Sequence, residues 1–258
     1  MTLNQRQKDI LQFLSEVRHA KVDVLAKSFS VSQETIRRDL LGLEKNHSIK
    51  RVRGGAVYYN YRAREIEYQK KLENNYATKD AIARLAVDYI NDGDAIMIGN
   101  GSTTTVFAAI LAKTKQNLTV ITNSSDIADA LNVEESNKVY LLGGLLRKHN
   151  RSIVGSLCTD FADNFKVDKT IVSVDGVSIT NGVTEYNVEE AATIRKMLEI
   201  AQTRMILCEF GKFSEVALTR VCDARDVNYV FTDWHLSAKD VKQWEGIGVT
   251  VVTVKKGR

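Results

Sequence analysis

The chain has 258 residues, 44% of them hydrophobic and 26% charged, which is enough apolar material for a sizeable core and excludes global disorder. That length fits one large domain or two unequal ones and rules out a single small module. The net charge of +4 is unevenly spread: residues 1–60 carry 11 Lys and Arg against 6 Asp and Glu, leaving −1 for residues 61–258, the pattern of a polyanion-binding module joined to a near-neutral domain.

No run approaches the ~18 apolar residues of a membrane span, and the polar, amphipathic N-terminus lacks a signal core, so no membrane association and a cytoplasmic location are expected. Cys158, Cys208 and Cys222 form no Cys-x-x-Cys pair, and His19, His47, His149 and His235 have no metal-ligand spacing. Reduced, mostly buried thiols and no metal site are expected. Proline is absent, so element boundaries are read from Gly, Asn and Asp.

Up to residue 60 the apolar periodicity is helical. Ile10, Leu11, Leu14 and Val17 make one stripe, Val22, Leu25, Ala26 and Phe29 a second, and Ile36, Leu40 and Leu43 a third that stops before Ser48. Two β-prone runs around Gly54-Gly55 then predict a hairpin over residues 49–59. Three helices and a hairpin outline a winged helix over residues 1–60. The second helix is predicted to end near Phe29, with a turn through Ser30 and Val31 and a third helix opening at Ser32, a good N-cap. This is helix-turn-helix spacing. With Ile36, Leu40 and Leu43 inward, Ser32, Gln33, Thr35, Arg37 and Arg38 are left for the outer face, where small donors suit base edges and arginines suit guanine or phosphate. Lys50, Arg51 and Arg53 place basic charge on the wing, toward a flanking backbone. Asp39 would repel phosphates and is expected to pair with a neighbouring arginine and orient it. The partner so predicted is a double-stranded DNA operator, bound by a homo-oligomer (dimer or tetramer), because one helix reads too few base pairs to search a genome.

Residues 61–77, rich in charge, read as a solvated linker helix. From residue 78 to 258 the chain alternates strand and helix. Apolar β-branched runs stand at 95–98, 118–121, 138–142, 169–174, 204–207, 228–231 and 249–254, with amphipathic stretches at 102–113, 125–132, 156–165, 187–202 and 236–245. Continuous apolar strands separated by helices predict a parallel α/β domain.

Gly99-Asn-Gly-Ser-Thr-Thr-Thr105 follows one strand and opens a helix, so backbone N–H groups and hydroxyls converge at a positive dipole end that favours a phosphate. The third glycine of a dinucleotide fingerprint falls on Thr104, which makes NAD the weaker reading, and no cofactor is expected. Ligands of open parallel sheets sit beyond the carboxyl ends of the strands. There Asn123 and Ser124 are placed to bond ligand hydroxyls, Asp175 to accept from them and Lys212 to neutralise an anion. Arg147, Lys148 and Arg151 read as solvated surface.

Val31-Ser-Gln-Glu-Thr-Ile-Arg-Arg-Asp-Leu40, followed by Arg53-Gly-Gly-Ala56, resembles the DNA-binding signature of the DeoR-type bacterial regulators of sugar metabolism. The resemblance continues through Gly99–Thr105, Thr122-Asn-Ser124, Gly143-Gly144, Asp175-Gly176, Gly182-Val-Thr184 and Gly211-Lys-Phe213. It implies a winged helix-turn-helix joined to a Rossmann-like sensor domain similar to ribose-5-phosphate isomerase, and a repressor of a sugar-utilisation operon. It further implies a phosphorylated sugar effector at Asn100, Gly101, Ser102, Thr103, Thr104, Asn123, Ser124, Gly143, Gly144, Asp175, Gly176, Thr184, Glu189 and Lys212. Two departures stand out: Gly99-Asn100 occupies a usually acidic position, and Glu209-Phe210-Gly211 replaces the usual Asp-Ser-Ser. A sugar-phosphate isomerase fused to a DNA-binding module is the alternative. Its base position falls on the cationic end of Glu189–Lys196, where Glu189 or Glu190 would serve only by another geometry, so no catalysis is expected.

Overall fold

The computed structural model describes residues 4–17, 19–45, 49–52, 54–58, 72–148, 150–213 and 215–255. Contacts divide the chain into a unit ending at Glu67 and a unit beginning at Tyr68. Most of the expected linker helix, residues 61–71, and the wing residue Arg53 lie outside the described residues.

The N-terminal unit runs α1 (Gln5–Val17), β1 (His19–Lys21), α2 (Val22–Ser28), α3 (Gln33–Lys45), β2 (Ile49–Val52) and β3 (Gly55–Tyr58). The three expected helices and the hairpin are present. Their inward stripes meet in one core of Ile10, Leu14, Leu25, Ile36, Leu40, Leu43, Ile49 and Ala56. Val17, expected on that stripe, is 47% exposed, because the chain leaves the helix there to enter β1. This strand, too short to show an alternation, makes the hairpin a three-stranded antiparallel sheet in the order β1-β3-β2. Gly55 permits it: a Cβ there would stand 2.4 Å from the Ala20 carbonyl oxygen.

The C-terminal unit is built on a seven-stranded sheet of β4 (Ala95–Ile98), β5 (Thr119–Thr122), β6 (Lys138–Leu141), β9 (Val167–Val172), β12 (Ala201–Leu207), β14 (Tyr229–Thr232) and β15 (Thr250–Thr253). Their order is β15-β14-β12-β9-β4-β5-β6, every pair parallel. The seven apolar runs of the sequence are these seven strands. Alternate residues of one strand feed different cores. Ile96, Ile98, Ile171, Met205 and Phe231 join one cluster with helices α4 (Tyr76–Val87), α5 (Ser102–Thr114) and α6 (Ser125–Leu131). Met97, Val172, Ile206 and Val230 join the other with α7 (Ser156–Ala162), α8 (Val188–Glu199) and α9 (Ala238–Glu245). Both faces are covered, which is why the strands read as unbroken apolar runs rather than alternating ones.

Three differences from the expectation stand out. Helix α4, with Ile82, Ala83, Ala86 and Val87 buried, begins two residues inside the stretch read as linker and is not among the amphipathic stretches read from residue 78 on. The stretch 187–202 ends as helix at Glu199, since Ala201 pairs with Val167 and begins β12. The hairpin β7 (Leu145–Arg147) and β8 (Ser152–Val154), and a small antiparallel sheet of β10 (Gly176–Ser178), β11 (Gly182–Glu185) and β13 (Thr219–Cys222), are too short for a periodicity to show. The three cysteines are free, Cys158 and Cys208 buried and Cys222 half-buried. No helix among the described residues is long and apolar enough to cross a membrane.

Phe107, with Phe231, is one of the two largest fully buried side chains of the cluster beneath α4 and α5. Phe107→Ala is expected to cost the C-terminal unit about 3–5 kcal/mol, read as a lower denaturant midpoint, with the N-terminal unit's transition unchanged.

Candidate functional site

In the N-terminal unit the turn between α2 and α3 is closed by the Val31 N–H donating to the Ala26 carbonyl at 3.1 Å, with Ser30 in the left-handed region at φ 51°. The Ser32 hydroxyl then accepts from the Thr35 N–H at 3.2 Å, so Ser32 caps α3 as its position predicts. Gln33, Arg37 and Arg38 are exposed on α3, Thr35 half-exposed, and Ile36 and Leu40 face the core. Arg37 lies 3.4 Å from Glu34, a loose surface pair that a phosphate displaces easily. A groove of about 440 Å³ runs between α3 and the β2–β3 turn, lined in part by Lys21, Gln33, Arg37, Arg51 and Gly54. Arg51 is held there by Glu44 at 2.7 Å, and Lys50 sits in β2. Asp39 takes another partner than expected. It is 4% exposed and accepts from Arg6 Nε at 2.6 Å, so it ties α1 to α3 instead of orienting an arginine on the outer face.

In the C-terminal unit the predicted ligand residues gather at the carboxyl ends of β4, β5, β9 and β12. Gly101 begins α5 with its backbone against Ser173: a Cβ there would stand 2.7 Å from the Ser173 Cβ. Ser102 and Thr103 follow in the first turn, whose N–H groups have no partner within the helix. Thr104 is fully buried and its hydroxyl donates to the Gly99 carbonyl at 2.7 Å, so it shapes the loop from inside. Asn123 bridges two loops, its Oδ1 accepting from the Asn100 N–H at 2.9 Å and its Nδ2 donating to the Ile153 carbonyl at 3.0 Å. Ser124 is buried and caps α6 by accepting from the Ile127 N–H. The capacity expected to meet ligand hydroxyls is thus spent on the scaffold at Asn123 and Ser124. Asn100 Oδ1 is instead buried with no partner among the described residues, an acceptor left open beside the phosphate loop.

Across the sheet, Asp175 lies 3.5 Å from Lys212 Nζ, which the short turn Phe210–Lys212 presents. Gly176 and Thr184 are there for close packing: a Cβ on Gly176 would meet the Glu215 carbonyl oxygen at 2.4 Å, and the Thr184 hydroxyl accepts from the Ala217 N–H at 3.0 Å. Gly144, with φ 145°, brings the start of β7 against the Val154 carbonyl, whereas Gly143 has open space beside its Cα. Glu189 is exposed. One residue on, Glu190 turns inward, accepts from Ser152 Oγ at 2.9 Å and from Asn150, and is ion-paired with Arg147. Arg147, expected to be solvated surface, has a side chain only 14% exposed.

The sequence reading missed Glu185 altogether. It ends β11, is 6% exposed and hydrogen-bonds Asp175. Burial first, then the hydrogen bond and charge of Asp175 and the charge of Glu190, push its carboxyl up to about 10, which favours a proton on the Glu185–Asp175 pair. An acidic residue next to Gly-Val-Thr was the available signal, but nothing in the sequence says that Glu185 points inward. This edge of the sheet therefore combines an open helix N-terminus, one lysine, the Glu185–Asp175 carboxyl pair and the Arg147–Glu190 pair. It can hold an anionic group at one end and a hydroxylated body along acceptors.

The DeoR-like helix-turn-helix domain family matches residues 6–62, and the DeoR C-terminal sensor domain family matches residues 74–234. The HTH-type transcriptional regulator YulB of Bacillus subtilis (strain 168) is 32% identical over 254 residues, 98% of each chain. The HTH-type transcriptional repressor GlcR of the same organism is 31% identical over 90% of this chain and 89% of that one. Among solved structures, ribose 5-phosphate isomerase A from Methanocaldococcus jannaschii is similar at a TM-score of 0.40 and 18% identity, over 54% of this chain and 55% of that one.

Because Glu185 binds its proton more tightly folded than unfolded, folding takes up a proton between the ordinary value of 4.5 and about 10. In that window this one group lowers stability as pH rises, because the folded state keeps a proton that the unfolded state has released. Glu185→Gln is expected to flatten the pH dependence of urea unfolding, and parallel curves for the two proteins would refute the shared proton.

Proposed function

The chain belongs to the DeoR family of helix-turn-helix transcriptional regulators, and we propose that it represses a sugar-utilisation operon under the control of a phosphorylated sugar bound in the crevice of the C-terminal unit. It is a regulator rather than an enzyme, as its relatives are. On the DNA side, Ser32, Gln33, Thr35, Arg37 and Arg38 meet base edges and phosphates, with Lys50, Arg51 and Arg53 on the wing. The exposed outer face of α3 and the basic groove beside it support this reading.

The effector reading is carried by one observation: the open N-terminus of α5 at Gly101–Thr103, Lys212 and acceptors that suit hydroxyls all stand at the carboxyl edge of the parallel sheet. The phosphate sits on the helix start, helped by Lys212 once it leaves Asp175. The sugar hydroxyls donate to Asn100 Oδ1 and Asp175, and Asn123, Ser124, Gly144, Gly176 and Thr184 hold the walls in place. The C-terminal unit has little net charge, so these local donors, not long-range steering, select the anion. The working form is a cytoplasmic homo-oligomer. Support comes from the exposed apolar side chains Tyr140, Leu145, Leu146, Leu157 and Phe161 on β6, β7 and α7, the kind of surface that association covers.

Arg38→Ala is expected to weaken operator binding by about 1–3 kcal/mol in a gel-shift titration at fixed salt, and unchanged affinity removes Arg38 from the contact set. Calorimetry against ribose 5-phosphate, fructose 6-phosphate, glucose 6-phosphate, glycerol 3-phosphate and the dephosphorylated forms tests the crevice. Binding is expected only with the phosphate present. Binding of free sugars or nicotinamide dinucleotides, with none of a sugar phosphate, overturns the reading.

A further inference from the structure

The residue that replaces the usual aspartate before Lys212 makes contacts no surface glutamate needs. The Glu209 carboxylate accepts from Asn75 Nδ2 at 2.7 Å and stands 3.2 Å from Lys79 Nζ, although the two segments are 134 positions apart in sequence. Lys79 has a side chain only 3% exposed, and its ammonium also donates to the Asn74 carbonyl. Asn74, Asn75 and Lys79 form the entrance and first turn of α4, which lies near the start of the second unit.

Glu209 is at the same time the hinge of the lysine turn. Its carbonyl accepts from the Lys212 N–H at 2.9 Å, and the following Phe210 N–H donates to Asp233 Oδ2 at 2.8 Å. A continuous path of ion pairs and hydrogen bonds thus runs from Asp175 through Lys212 and Glu209 to Lys79 and the start of α4. A buried ammonium is a poor choice for stability alone, because an apolar side chain of similar volume packs there without desolvating a charge. Its use is to hold one arrangement against another.

We infer that Glu209, through Lys79 and Asn75, is a positioning residue that couples occupation of the crevice to the N-terminal end of α4, and so to the chain segment that joins the two units. This rests on the effector reading above. When an anion draws Lys212 away from Asp175, the turn hinged at Glu209 shifts, and the Glu209 contacts to Asn75 and Lys79 carry that shift to α4. Coupling between sites needs such an element with two arrangements that both sites bias.

Two measurements on the full-length protein test it. The double variant Lys79→Met/Glu209→Gln removes both charges together, so neither is left buried without its counter-charge, although the Asn74 carbonyl loses the Lys79 donor. Operator affinity is read with and without saturating ribose 5-phosphate, fructose 6-phosphate, glucose 6-phosphate and glycerol 3-phosphate. Wild type is expected to change affinity by a factor in the ~5–150 range typical of allosteric coupling, and the variant by less than about twofold with its effector-free operator affinity intact. A variant that responds as wild type does overturns the coupling role alone. A wild type that binds operator and responds to none of the four overturns the effector reading instead. In that event hydrogen exchange without any ligand decides the latch. Lys79→Met is expected to speed exchange of the Phe210–Phe213 amides about tenfold, and unaltered exchange there overturns it.

Discussion

A parallel sheet buried on both faces has one place left for chemistry, the ends of its strands. Ile96 and Ile98 point into one core and Met97 into the other, so no side chain in the middle of β4 meets water or a ligand. In β14 Val230 and Phe231 divide between the two cores in the same way. Polar groups accumulate where the strands stop, at Asn100, Asn123, Asp175 and Lys212, and the crevice at the carboxyl edge follows from that burial. The short additions β7–β8 and β10–β11–β13 wall it in.

Within that crevice the proton held between Glu185 and Asp175 sets the electrostatics. With Glu185 neutral, Asp175 is the carboxylate that Lys212 faces, and Glu190 is matched by Arg147. Lys212 thus faces one carboxylate rather than a field of three acids. Ion pairs with this degree of burial trade stability for a defined geometry. The N-terminal unit uses the same device on a smaller scale, where buried Asp39 fixes Arg6 and so the packing of α1 against the helix that faces DNA.

Much of this architecture is legible in the sequence because period and composition carry it. Seven apolar runs became seven strands, and the Ser32 cap and Gly54-Gly55 turn stand where residue chemistry demands them. The family motifs put the phosphate loop at the start of α5. These are local properties, decided by backbone conformation and by which face of an element is apolar.

What only the tertiary structure decided is direction and partnership. Whether Asn123 offers its amide to a ligand or to the Ile153 carbonyl, whether Glu189 or Glu190 faces inward, and whether Arg147 is solvated or sunk depend on segments far apart in the chain. The proton on Glu185 exists only because β11 brings that carboxyl beside Asp175 in a place without water, and Lys79 meets Glu209 only across 130 residues of folded chain. Side-chain type fixes what a group is able to do, but desolvation and the identity of its neighbours, which no local pattern encodes, determine what it does.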